Sequence, residues 1–158
     1  MQFRLIAVIG ATAAMAACGG GADTSKAPAT QQPAAAAAPA AQPAPITGKT
    51  LVVQMVGDPS GYRFEPSTIT IKTGDGIRFE GVAGGPHNVT FDGASLSPAA
   101  KAALVANMPN QDMGELSSKL IADKETYTVS FGNVQAGTYV VTCTPHTANN
   151  MKLTITVQ

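Results

Sequence analysis

The chain has 158 residues, with 10 Lys+Arg balanced by 10 Asp+Glu, two His, two Cys and no Trp. A formal charge of zero provides no basic field, which excludes nucleic acid as an expected partner. Of its 27 Ala, 17 precede residue 46, and the 113 residues from Ile46 onward make one domain, too small for a two-lobed nucleotide-dependent enzyme.

In chain order, Met1 to Ala17 reads as an export signal. Arg4 supplies the positive start, Leu5 to Met15 is apolar or small, and Ala16-Ala17 closes it. The apolar run is too short to remain as a membrane-spanning helix. Met15-Ala16-Ala17-Cys18 resembles a bacterial lipoprotein box, with Met where Leu is commonest. The resemblance implies that Cys18 becomes a lipidated N-terminus in the periplasmic space of the cell envelope. The alternative is an ordinary signal followed by a stray Cys. Gly19 stands where such lipoproteins often carry an Asp for inner-membrane retention, so the outer membrane is compatible with the box. Ala27 to Pro45 holds ten Ala, five Pro, three Gln and one Thr. Repeated Pro prevents a helix from propagating, and nothing in the segment can build a core. Residues 18–45 therefore read as a semi-extended tether, with a reach of roughly 80 Å at full stretch.

From Ile46 to Gln158 strand signals dominate. Leu51 to Val56 is rich in β-formers, and Thr68 to Lys72 alternates Thr with Ile. The same period recurs at Ile77 and Phe79, Val89 and Phe91, Tyr127 to Phe131, Tyr139 and Val141, and Leu153 to Val157, with Gly, Pro, Asn or Asp at the turns. Seven or eight such strands predict an antiparallel β-sandwich. One helix interrupts them: Ser97 is a cap, Pro98 a first-turn residue, Ala99 to Ala106 good helix formers and Pro109 a stop.

Chemistry concentrates near the C-terminus. Cys143, His146 and Met151 fall within nine residues, and His87 lies 56 positions before Cys143. Singly, each has an ordinary structural reading as buried hydrophobe, capping residue or core. Together they place a thiolate, an imidazole and a thioether at one hairpin end, with His87 as a second imidazole from a neighbouring strand. That donor set suits copper in both of its common oxidation states.

These motifs resemble the cupredoxins, and within them plastocyanins and pseudoazurins. Pro86-His87-Asn88-Val89-Thr90-Phe91-Asp92 is similar to the family's first-ligand segment, and Thr142-Cys143-Thr144-Pro145-His146 to its ligand loop. Gly137-Thr138-Tyr139, Phe64-Glu65-Pro66, Ile69 to Asp75 and Ile77 to Phe79 extend the likeness over about Leu51 to Val157. The resemblance implies an all-β Greek-key sandwich holding one type 1 copper ion. His87 and His146 would bind through ring nitrogen, Cys143 through a short thiolate bond and Met151 as a long axial ligand. Asn88 would tie the two ligand loops together through the backbone or hydroxyl of Thr144. Independently, Pro145 removes a backbone N–H close to the sulfur, which should leave the thiolate electron-rich and lower the potential.

The chain departs from the pattern at residues 92–124, which are longer than compact members need and include Met108 and Met113. A solvated insertion is the expectation, and a cover for the copper edge or a docking element is the alternative. Thr147-Ala148-Asn149-Asn150 is also more polar than the family's usual stretch.

The function expected is a monomeric, membrane-tethered one-electron carrier that exchanges with redox protein partners near His146 and is not an enzyme. A copper storage or delivery protein is the alternative, although one Cys in the domain is few for that purpose. A Cys143–His146 hydrolase lacks an orienting acid, and an adhesive sandwich would leave the ligand set without use. Zinc could occupy the same donors. Eight Lys+Arg against nine Asp+Glu from Ile46 onward provide little electrostatic steering.

Overall fold

The computed structural model describes residues 42–158; the export signal, Cys18 and the tether as far as Ala41 lie outside the described residues. Eight strands follow in order: β1 (Thr50–Asp58), β2 (Gly61–Glu65), β3 (Thr68–Ile71), β4 (Gly76–Ala83), β5 (Thr90–Phe91), β6 (Thr126–Ser130), β7 (Gly137–Thr142) and β8 (Lys152–Val157). They form two sheets, ordered β2-β1-β4-β6 and β3-β8-β7-β5. This is the all-β sandwich implied by the family motifs. The pairing is mixed rather than antiparallel throughout, because β1 runs parallel to β4 and β3 parallel to β8. Alternation within a strand reports which face is buried and is blind to the direction of its neighbour.

The period-two pattern sets the core. Val53 and Met55 of β1, Ile77 and Phe79 of β4, and Tyr127 and Val129 of β6 point inward from one sheet. Ile71 of β3, Tyr139 and Val141 of β7, and Leu153, Ile155 and Val157 of β8 meet them from the other. Edge-to-face ring pairs, Phe64 with Phe79 and Phe91 with Phe131, fill the space between. Strand β2 lay outside the alternation read from the sequence, since only Phe64 of its five residues is fully buried. Asp75 closes the turn before β4 by accepting 2.8 Å hydrogen bonds from the N–H groups of Lys49 and Lys72.

The helix α1 (Pro98–Asn107) forms with Ser97 as its cap, whose hydroxyl accepts from the Ala100 N–H at 3.2 Å. The expectation of a solvated insertion does not survive. Ala100, Leu104, Met108, Leu116 and Ile121 all join the core. Buried Asn107 donates to the Gly132 carbonyl and accepts from the Ala44 N–H, each at 2.8 Å. The returning limb of the insertion then runs beside residues 87–91. The Phe91 N–H donates to Leu116 O at 3.0 Å, the Ser118 N–H to Val89 O at 3.0 Å and the Ile121 N–H to His87 O at 2.8 Å. Small and polar residues disguised the segment: its buried apolar positions are spread among Ala, Ser and Asn rather than repeated at a regular period.

Two predictions follow from this packing. Leu104→Ala should lower unfolding free energy by about 2–5 kcal/mol in urea titration, the loss of a filled core position rather than a surface change. The two N–H donors hold the Asp75 carboxyl below its ordinary value of 3.8, opposed by partial burial. A carboxyl depressed in the folded state contributes stability that is present above that ordinary value and is lost as pH falls through the lower, folded one. In acid unfolding series, Asp75→Asn should therefore flatten the stability curve below about pH 4.

Candidate metal centre

Strand β4 delivers the first candidate ligand. Beyond Ala83 the chain turns through Gly84, at φ +76°, where a side chain would lie 2.6 Å from the Cα of Gly57. Only glycine suits that positive φ and close approach. His87 then pairs with Ile121 in both directions, with its N–H on Ile121 O at 2.9 Å and its carbonyl accepting from the Ile121 N–H at 2.8 Å. Its ring is fully buried, and Nε2 lies 3.0 Å from the Ala83 carbonyl oxygen. A carbonyl only accepts, so Nε2 carries a proton, and the neutral ring that a metal needs has its lone pair on Nδ1. That lone pair faces the Sγ of Cys143 at 3.8 Å.

Cys143 follows the last residue of β7, and its sulfur is also fully buried. The Asn88 N–H donates to Sγ at 3.4 Å. Burial pushes the thiol up from its ordinary value, partly offset by the backbone N–H groups of Asn88 and His146. Without a cation the sulfur is therefore held as a thiol; a bound metal would supply the charge that favours thiolate. The 3₁₀ turn Thr144–Asn149 carries His146, whose Nδ1 lies 3.3 Å from Sγ. Burial, and then the nearby His87 ring, push His146 downward, which favours the neutral imidazole that a metal needs. The three donor atoms of His87, Cys143 and His146 lie within 4.8 Å of one another. Met151 stands just before β8, buried, with its carbonyl accepting from the Cys143 N–H at 3.2 Å.

Asn88 is the buried hub beside these groups. Its Oδ1 accepts from the Thr144 N–H at 2.7 Å, while the two hydrogens of Nδ2 are shared among the hydroxyls of Thr90, Ser117 and Thr144 at 3.1, 3.2 and 3.3 Å. Pro145, the next residue, has no N–H to add. Ser118 extends the clasp by accepting from the Val89 N–H at 3.0 Å. The two serines come from the insertion and were not found by sequence reasoning, because no spacing links them to Asn88. Tyr62 was also missed. Its ring stacks on His146 with centroids 3.7 Å apart and planes 14° from parallel. A Gly-Tyr pair at a turn carries no metal signal by itself. Met113 is exposed and Met108 is buried in the core beyond α1.

Two imidazole nitrogens and one cysteine sulfur, converging in a largely buried cluster, fit copper on donor chemistry; they also satisfy zinc.

Comparison with known proteins gives the same direction. Residues 51–158 match the model of a family described as copper binding proteins, plastocyanin/azurin family. The chain is 35% identical to plastocyanin of Scenedesmus fuscus over 108 residues, covering 68% of this chain and 99% of that protein. It is 38% identical to plastocyanin of Lactuca sativa over 97 residues, 61% of this chain and 89% of the relative. Among solved structures, oxidized plastocyanin from Dryopteris crassirhizoma aligns with a TM-score of 0.53 at 31% identity, covering 68% of this chain and 99% of that one.

Because Asn88 joins both loops, Asn88→Ala should cost about 1–3 kcal/mol in equilibrium unfolding by leaving the Thr144 N–H without its acceptor. A change below about 0.5 kcal/mol would place the hub outside the stability of this end of the sandwich.

Proposed function

The chain belongs to the plastocyanin/azurin family of copper binding proteins, and from that premise we propose a membrane-tethered one-electron carrier whose copper is held by His87, Cys143, His146 and Met151. It is a carrier rather than an enzyme, and copper is its cofactor. The observation that carries the site assignment is the approach of the His87, Cys143 and His146 donors to within 4.8 Å in one buried cluster.

Copper, when bound, supplies a Cu(II)/Cu(I) couple. The chain's own groups do the rest. The Ala83 carbonyl fixes the His87 tautomer, and the paired backbone of Ile121 holds that ligand's main chain. Asn88 locks the turn that carries Cys143 and His146 to the His87 segment. Donors held by a β-framework keep their places as the site charge changes by one, so little rearrangement accompanies transfer. The buried sulfur and the His87 ring exclude water. His146 is only half-buried, on a turn, and is the natural route for an electron to a docked redox partner. The donors are all supplied by protein, which leaves the site without a position for substrate.

The export signal, Cys18 and the Ala/Pro-rich segment support a periplasmic location and a lipid anchor. A tether of that kind would let the domain, a monomer in this reading, search a volume beside a bacterial membrane. Weak net charge leaves partner choice to the surface around His146.

Two experiments test this reading. Protein loaded with Cu(II) should absorb intensely in the red region and titrate reversibly with a one-electron couple. The band should vanish in Cys143→Ser, and copper transfer to a chelator without reversible redox cycling would overturn the carrier assignment. In cells, Cys18→Ser should move the protein from the membrane fraction to the soluble envelope fraction; unchanged fractionation would remove the anchor.

A further inference from the structure

The two candidate imidazole ligands are restrained by different means. His87 is fully buried, and its ring nitrogen and both main-chain polar groups are hydrogen-bonded. His146 sits half-buried in a turn whose backbone leaves the helical region at that residue, with φ −116° and ψ 28°. Among the described residues, no hydrogen bond holds its Nε2. Its ring plane meets instead the face of Tyr62, 3.7 Å away and 14° from parallel. The Tyr62 ring also meets His87 edge-on, at 6.3 Å and 64°.

Tyr62 is itself set by backbone rather than by a loop. It is paired directly across β1 and β2 with Gly57. A side chain on Gly57 would come within 2.5 Å of Tyr62 Cε1, so the ring lies in the space that this glycine leaves. A side chain on Gly57 would also lie 3.0 Å from the Cα of Gly84, so the two glycines pass close to each other behind the ring. A strand pair, two glycines and the turn before His87 thus define one flat seat for the phenol.

We propose that Tyr62 is a positioning residue for His146: its stacked ring fixes the plane of the exposed ligand and keeps water from one of its faces. This rests on the copper-site reading above. The stack acts where a hydrogen bond is missing, and it replaces solvent by an apolar face beside the group that would share the metal's charge. An apolar face disfavours the more highly charged oxidised site and so raises the potential. The working contact is the ring face, not the hydroxyl, so Phe should replace Tyr and an aliphatic residue should not.

The test uses the copper-loaded protein and three variants. Tyr62→Leu should lower the midpoint potential, speed copper loss to a chelator about three- to tenfold, the scale of one aromatic pair, and remove the upfield ring-current shift of the His146 ring protons in the NMR spectrum of the Cu(I) form. Tyr62→Phe should keep wild-type values in all three. Gly57→Ala retains the phenol but crowds its seat, and should lower the potential in the same direction; it decides the question if Tyr62→Leu does not fold. An unchanged potential and release rate in Tyr62→Leu or Gly57→Ala, or a Tyr62→Phe as altered as Tyr62→Leu, overturns the proposal while a normal wild-type spectrum leaves the site reading standing. Wild-type protein that takes up no copper overturns both.

Discussion

The hydrogen bond from the Thr144 N–H to Asn88 Oδ1, 2.7 Å long, joins segments 56 residues apart in the chain. One partner follows His87 directly and the other follows Cys143 directly, so its length sets how near the imidazole and the sulfur can come. The amide is buried, and every polar atom on it is used. Its oxygen holds the ligand turn, and its nitrogen faces three hydroxyls. A buried amide satisfied in this way is rigid because each alternative orientation would leave a donor or acceptor without a partner. The β-sandwich beneath it supplies parallel and antiparallel neighbours that keep the two segments from sliding. The metal end is therefore organised by a polar clasp, whereas the opposite interior is organised by apolar packing.

The insertion belongs to that clasp. Ser117 and Ser118 reach Asn88 and Val89 only because Leu116 and Ile121, on either side, are anchored in the core, and because Met108, Leu104 and Ala100 secure the segment that precedes them. Apolar anchoring places the serine hydroxyls at the ligand segment. The insertion thus works as an outer wall of the His87 limb.

Local chemistry was readable wherever one residue type has one strong use. Ser97, Pro98 and Pro109 mark α1 because capping and proline geometry are nearly context-free. Alternation at Leu153 to Val157 marks β8, and the spacing of Cys143, His146 and Met151 marks a hairpin end. The Asn88–Thr144 contact was implied by family likeness rather than by any rule of spacing. Other features depend on partners distant in the chain. Parallel pairing of β1 with β4 leaves no trace in either strand's alternation, and β2 is an edge whose exposed face blurs its pattern. Tyr62 matters through what lies opposite it: Gly57 across the strand pair and His146 in space. A single sequence shows each of these residues but not their conjunction.

The parallel pairing has a mechanical consequence. Strand β1 begins beside the start of β4, with Thr50 opposite Gly76, and both strands run toward the turn that carries His87. The chain ahead of β1 therefore enters the sandwich at the pole away from the candidate ligands. The eight residues of β4 separate the two poles by roughly 25 Å. Force applied to the chain ahead of β1 is taken up at that far pole and leaves the candidate ligand pole of the sandwich unstrained.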